Sequence, residues 1–197
     1  MKSSINLFYE MKQHVPYTAM AAFTAISSVI LIKFFFNLKI GGHVFHILHP
    51  LHVVASAITS AGILYKYRPK MITALFVGIV GSIAIGSVSD ILLPYLGATI
   101  FQMHPHFHLP VIESPLFIAG AAILGSFIGI YTKISKFPHF LHVGISIFAS
   151  LFYLLAYTTS ASLPFFLLSI IIVFFAVLIP CCISDVIFPL CFLKKNH

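Results

Sequence analysis

The sequence predicts an all-α integral membrane protein with six transmembrane helices arranged as two inverted three-helix repeats. The first observation behind this prediction is composition, since 60% of the 197 residues are hydrophobic and only 8% are charged. The mean hydropathy is +1.08, well above that of soluble globular domains. The other two observations are an alternation of charged loops between apolar segments and a motif that occurs twice. A multi-pass membrane protein is the class that fits all three.

Six apolar segments are long enough to cross the hydrocarbon core of a bilayer. They cover approximately residues 17–37, 50–66, 71–93, 115–132, 140–158 and 164–189. Lys12 precedes the first segment, as in a signal peptide, but the apolar run that follows is longer than a typical signal core. We therefore expect the first segment to be a retained helix.

Positive charge alternates along the chain. Lys and Arg residues lie before the first segment, between the second and third, between the fourth and fifth, and after the sixth. By the positive-inside rule this pattern predicts a multi-pass protein of the cell membrane, with cytoplasmic termini and an outward loop at 99–110. The net charge of +7 forms no basic face interleaved with aromatic residues, so the bilayer is the expected partner and nucleic acid is excluded. Three cysteines near the predicted cytoplasmic end of the sixth segment indicate a reducing compartment.

One polar motif occurs twice in the sequence. It reads His49-x-Leu51-His52-Val53-x-x-Ser56 in the first half and His139-x-Leu141-His142-Val143-x-x-Ser146 in the second. Each copy is followed by Ser-Asp-x-x-x-Pro, first at 89–94 and then at 184–189. Apolar packing gives no reason to copy histidines and an aspartate into hydrophobic surroundings, where polar groups are costly. The duplication therefore indicates a duplicated site.

The repeat unit contains three predicted spans, an odd number, so the second copy is expected to be inverted relative to the first. Inverted repeats of this kind are common in secondary transporters. The predicted regions are 1–98, a cytoplasmic segment with the first repeat; 99–114, an outward His-rich loop; and 115–197, the second repeat with a cytoplasmic tail. Glycines in the third and fourth spans predict close helix packing there, and a homodimer through these spans is a further expectation.

The motif chemistry is that of a transition-metal site. Histidines three residues apart share a helix face, and two imidazoles with a carboxylate are a familiar ligand set. Pro94 and Pro189 each follow an aspartate by four residues, which predicts a helix kink at the aspartate, while Pro50 and Pro138 are expected to mark helix starts. The expected metal ligands are His49, His52, Asp90, Glu113, His139, His142, Asp185 and Cys181.

The predicted topology places the two sets of ligands on opposite sides of the membrane. The outer set contains His49, His52 and Asp90, and the inner set contains His139, His142 and Asp185. Further metal capture is expected from His43, His46, His104, His106 and His108 on the outside and from Cys182 on the inside. Thiolate, imidazole and carboxylate together favour Zn²⁺, with Mn, Fe, Co or Ni as alternatives.

Three functions fit these residues, and transport of a divalent transition metal ranks first because a transporter has a use for two related sites. The second is a membrane metalloenzyme acting on a lipid or another hydrophobic substrate, with Glu113 as general base and the catalytic residues otherwise unassigned. The third is a small membrane haem protein. The non-functional alternative is that the histidines and aspartates only hydrogen-bond neighbouring helices together.

Overall fold

A computed structural model describes the backbone of residues 7–36, 42–133, 139–158 and 163–182. It describes the side chains of residues 15–16, 18–31, 42–133, 142–158 and 164–180. All regular secondary structure in these ranges is helical. The helices are α1 (Leu7–Phe36), α2 (Gly42–Tyr67), α3 (Met71–Ser87), α4 (Leu93–Ile100), α5 (Pro110–Glu113), α6 (Pro115–Thr132), α7 (His139–Tyr157) and α8 (Leu163–Cys182), with a π-helical turn at Val88–Leu92 between α3 and α4.

Three helical segments in the described part are long and apolar enough to cross a membrane, namely Gly42–Tyr67, Met71–Ile100 and Pro115–Thr132. They correspond to the second, third and fourth predicted spans. Shorter apolar stretches lie at Thr18–Leu31, His142–Tyr157 and Pro164–Pro180, within helices whose remaining side chains are outside the described set. The all-α membrane class is thus supported, and the count of six spans stays a prediction.

Helix α2 begins earlier than the sequence indicates. Pro50 was expected to mark a helix start, but it is buried inside α2, which begins at Gly42. This prediction was wrong because a proline can be accommodated within an apolar helix that is packed by its neighbours, at the loss of one backbone hydrogen bond to the carbonyl of His46. As a result His43, His46, His49 and His52 all belong to one helix. Pro138 lies outside the described residues.

The second irregularity lies at Asp90. Pro94 has no N–H, and its ring clashes with a carbonyl four residues back in a regular α-helix. The chain accommodates this proline by the π-helical turn at Val88–Leu92, after which α4 starts at Leu93. Such turns often occur at functional sites. Here Asp90 and the adjacent Ser89 are fully buried.

Helix α2 occupies the centre of the bundle, where it packs against α3, α6 and α7. The packing also crosses between the two halves of the chain. Helix α6, from the second half, lies on α2 and α3, while α1, from the first half, lies on α7 and α8. The largest apolar core forms among α1, α7 and α8 and includes Phe45 of α2.

Glycines of α6 allow its close approach to α2. A methyl group at Gly125 would meet the carbonyl oxygen of Val54, and one at Gly129 would meet that of Ile58. Gly78 of α3 faces both Ser126 of α6 and Ala61 of α2. The predicted packing by glycines is therefore present where α2, α3 and α6 meet. The expected homodimer stays a prediction.

We expect Gly129→Ala to destabilise the protein by about 1–3 kcal/mol, the usual range for overpacking, because a backbone carbonyl cannot rotate away as a side chain can. The measurement is the thermal unfolding midpoint in detergent. Gly120→Ala is the matched control, since nothing lies within 4 Å of a methyl group added there. Equal midpoints for the two variants would show that α6 does not lie against α2 in this way.

Candidate functional site

The Asp90 carboxylate is the centre of a buried polar cluster. Its Oδ2 accepts hydrogen bonds from Nδ1 of His49 at 2.9 Å and from Nδ1 of His52 at 2.8 Å. Its Oδ1 accepts from the hydroxyls of Ser89 at 2.9 Å and Ser146 at 2.8 Å. An ionised carboxylate accepts about four hydrogen bonds on its two oxygens, so the described donors satisfy it fully.

A second contact extends the cluster to the other half of the chain. Nε2 of His52 lies 2.9 Å from Nε2 of His142, and both rings are buried. Because Nδ1–H of His52 faces Asp90, Nε2 of a neutral His52 carries a lone pair and His142 donates to it; if His52 is protonated, it donates to His142. One proton therefore lies between the two rings. Asp90, His52 and His142 form a hydrogen-bonded chain.

We refer to His49, His52, Asp90, His142 and Ser146 as the central cluster. It joins the two copies of the motif, because His142 and Ser146 of the second copy contact His52 and Asp90 of the first. The prediction that the two ligand sets lie on opposite sides of the membrane was therefore wrong for these residues. The cause is the early start of α2, which places His52 roughly three turns inside the helix, where α2 packs against α7.

Four of the predicted ligands and capture residues have side chains outside the described part of the structure. Asp185 lies outside the described residues, and the side chains of His139, Cys181 and Cys182 are also outside the described set. Among the side chains that are described, no group of three or more His, Cys, Asp or Glu residues is arranged to hold a metal ion. In the central cluster, both ring nitrogens of His52 are engaged in hydrogen bonds, Nδ1 with Asp90 and Nε2 with His142.

Four buried polar atoms of α2 and α3 have no hydrogen-bond partner among the described residues: Nε2 of His49 and the hydroxyls of Ser56, Ser60 and Ser87. Leaving a buried polar group unsatisfied costs about 1–3 kcal/mol, so each of these atoms indicates a missing partner. Ser56 occupies the same motif position as Ser146, which donates to the aspartate of the other repeat.

A second group of polar side chains, the outer cluster, contains His46, His108, Glu113 and Tyr157. Nδ1 of His108 donates to Oε1 of Glu113 at 2.6 Å, and the His108 ring stacks on Tyr157. The His46 ring lies edge-on to His108 with 4.9 Å between centroids, and its Nε2 is 3.4 Å from the Tyr157 hydroxyl. Burial lowers the pKa of His108, and the neighbouring His46 lowers it further, against the opposing effect of Glu113.

Phe45 separates the two clusters. Its buried ring stacks on His49 of the central cluster and contacts His46, His108 and Tyr157 of the outer cluster. Phe45 and Tyr157 could not be singled out from the sequence, because aromatic residues are frequent throughout the chain. The remaining predicted capture residues, His43, His104 and His106, are exposed.

The sequence matches no protein-family model, and neither a curated protein nor a solved structure is significantly similar to it.

Proposed function

We propose that this chain is a small secondary transporter that exchanges a divalent transition-metal cation for protons at the central cluster. The observation that carries the proposal is the contact between His52 and His142, which are equivalent residues of the two motif copies. A site built at the junction of two related halves is the usual location of a transported substrate in proteins with internal repeats. Ionisable groups buried within membrane-spanning helices are functional by default.

The hydrogen bonds of Asp90 orient two imidazole side chains as metal ligands. Metal-binding histidines usually donate their other N–H to a carboxylate, which fixes the ring orientation and leaves the second nitrogen as the ligand. Asp90 holds Nδ1 of both His49 and His52 in this manner, and Nε2 of His49 is buried without a partner among the described residues. Imidazole and carboxylate ligands fit Zn²⁺ first, with Mn, Fe, Co or Ni as alternatives.

Protons and the metal compete for the same nitrogens. His52 and His142 share a proton at 2.9 Å, whereas two nitrogens bound to one tetrahedral Zn²⁺ lie about 3.3 Å apart, given Zn–N distances of about 2.0–2.1 Å. For an ion to bind between them, the two rings must therefore move slightly apart and lose the shared proton. Metal binding that releases protons in this way couples the cation to proton movement.

The proposal includes six spans in two inverted repeats, with cytoplasmic termini in the cell membrane. The crossed packing supports this architecture, because the first helix of each half lies on the second and third helices of the other. His139, Asp185 and Cys181 stay in the proposed ligand set, and Cys182 stays a proposed capture residue, on the basis of the duplicated motif. The hydroxyl of Ser56 has no hydrogen-bond partner among the described residues, and it supports this assignment because Ser146, at the equivalent motif position, donates to Asp90.

The two alternative functions fit the described residues less well. A membrane metalloenzyme at the central cluster needs a substrate cavity that opens onto His49, His52 or His142. An apolar groove of about 460 Å³ lies between α2 and α6, and it reaches His46 of the outer cluster, but no member of the central cluster lines it. In a haem protein, the direct contact between His52 and His142 would leave no room for a porphyrin between these two rings.

The test is metal uptake into proteoliposomes with an acidic interior. We expect Zn²⁺ to enter in exchange for protons that leave, so that the internal pH rises as the ion accumulates. Thr132→Val is the matched control variant, because Thr132 is exposed and, within the described part of the chain, its hydroxyl bonds only to the backbone carbonyl of Ile128 in its own helix. Uptake no faster than in protein-free liposomes for Zn²⁺, Mn²⁺, Fe²⁺, Co²⁺ and Ni²⁺ would refute the proposal.

A further inference from the structure

The outer cluster contains a histidine that is prepared as a metal ligand. Nδ1 of His108 donates to Glu113, and in a neutral imidazole held this way the lone pair is on Nε2. This Nε2 is buried and has no hydrogen-bond partner among the described residues. The arrangement matches the carboxylate–histidine pairs that orient metal ligands in proteins.

The second nitrogen comes from His46. Its ring contacts the edge of the His108 ring, and the 3.4 Å separation between its Nε2 and the Tyr157 hydroxyl is too long for a strong hydrogen bond. His46 also lines a cavity of about 210 Å³ together with Pro110 and Ser114. This cavity has room for water molecules beside the imidazole.

We infer that the outer cluster is a second, weaker binding site for a divalent transition metal, with Nε2 of His108 and Nε2 of His46 as ligands and Glu113 as a positioning residue. Two protein ligands leave the other coordination positions to water, which suits a site that collects an ion and releases it. Phe45 lies between His46 and His49, so the ion here is not shared with the central cluster.

This inference changes the role of Glu113. The sequence predicted a direct ligand, but the nearest described contact of its carboxylate is the 2.6 Å bond to His108, and the Glu113 side chain is 52% exposed. The inference does not require transport at the central cluster, although in a transporter the site would raise the local ion concentration at the outer mouth.

The test uses Co²⁺ as the probe and follows its visible absorption and its binding curve in wild type and in the Asp90→Asn chain, which lacks the central carboxylate. We expect the weak site in both chains. His108→Ala should abolish it, and Glu113→Ala should weaken it about 10–100-fold, the usual cost of losing a carboxylate that supports a ligand. Glu113→Gln should restore most of the binding, because its amide oxygen can still accept from Nδ1 of His108.

Thr99→Val is the control, since among the described residues this exposed hydroxyl bonds only to the backbone carbonyl of Tyr95. Three results would overturn the inference: weak-site binding that survives His108→Ala, equal losses in Glu113→Gln and Glu113→Ala, or loss of the weak site in Asp90→Asn when thermal unfolding shows a folded chain. A failure of Zn²⁺ transport alone would count against the proposed function and leave this site standing.

Discussion

Asp90→Asn is expected to abolish tight binding of Zn²⁺ at the central cluster, with at least a roughly 100-fold loss in affinity, the upper range for residues that support metal ligands. The carboxylate accepts four hydrogen bonds, two of them from His49 and His52. An asparagine side chain has no negative charge and offers an NH₂ group where a second accepting oxygen is needed. Both imidazoles therefore lose the group that orients them.

The same substitution distinguishes a binding site from simple helix packing. If the cluster only held helices together, its loss would act mainly on stability, and polar contacts between membrane helices contribute on average about 0.6 kcal/mol each. The measurement is equilibrium dialysis at low Zn²⁺ concentration, with thermal unfolding of the same sample. Ser82→Ala is the matched control, because the only described partner of this buried hydroxyl of α3 is the backbone carbonyl of Ile79. Tight binding that persists in a folded Asp90→Asn chain would contradict the account.

His52→Ala and His142→Ala are each expected to remove tight Zn²⁺ binding, and the double variant should bind no worse than either single variant. The reason is the 2.9 Å contact between the two rings, which makes them parts of one site even though they belong to different motif copies. Residues in direct contact show strongly non-additive effects, whereas distant sites add.

The measurement is a double-mutant cycle on the dissociation constant of Zn²⁺, with uptake into proteoliposomes as a second readout. Ser169→Ala serves as the control, because this buried hydroxyl in α8 bonds, among the residues that the structure describes, only to the backbone carbonyl of Phe165. If each single variant lost half of the bound Zn²⁺ and the double variant lost all of it, the motif copies would be two independent sites.

Much of the first repeat could be predicted from the sequence. Histidines three residues apart share a helix face, and the aspartate before Pro94 was expected to lie at an irregular point of its helix. The structure places His49 and His52 on one carboxylate oxygen of Asp90, at a π-helical turn. Local spacing was sufficient here because these contacts depend on the period of one helix and on one proline.

The meeting of the two copies could not be predicted in this way. Periodicity shows which face of α2 is polar but not which helix covers that face, and His142 of α7 lies 90 residues after His52 in the chain. The position of Pro50 also suggested a helix start. Because of this wrong assignment, His52 was expected near a membrane surface, whereas it lies in the interior of the bundle. Helix packing in a bilayer is decided by small residues such as Gly125 and Gly129, whose partners become visible only in three dimensions.

The outer cluster shows a similar division. The His-rich loop and Glu113 were both recognised from the sequence as candidates for metal capture, and His108 does contact Glu113. Which of the loop histidines would do so was not predictable, because His104 and His106 have the same alternating spacing. The loop conformation decides it, with the backbone N–H of His106 bonded to the carbonyl of Tyr157 and His108 turned onto the Tyr157 ring.

The most direct test of the central claim, that both motif copies build one site, is the number of Zn²⁺ ions bound per chain at saturation. It is measured by equilibrium dialysis and elemental analysis in the His108→Ala chain, so that the outer cluster does not contribute. The account predicts one ion per chain, lost when either His52 or His142 is also replaced. Two ions per chain, one of which survives each replacement, would contradict it.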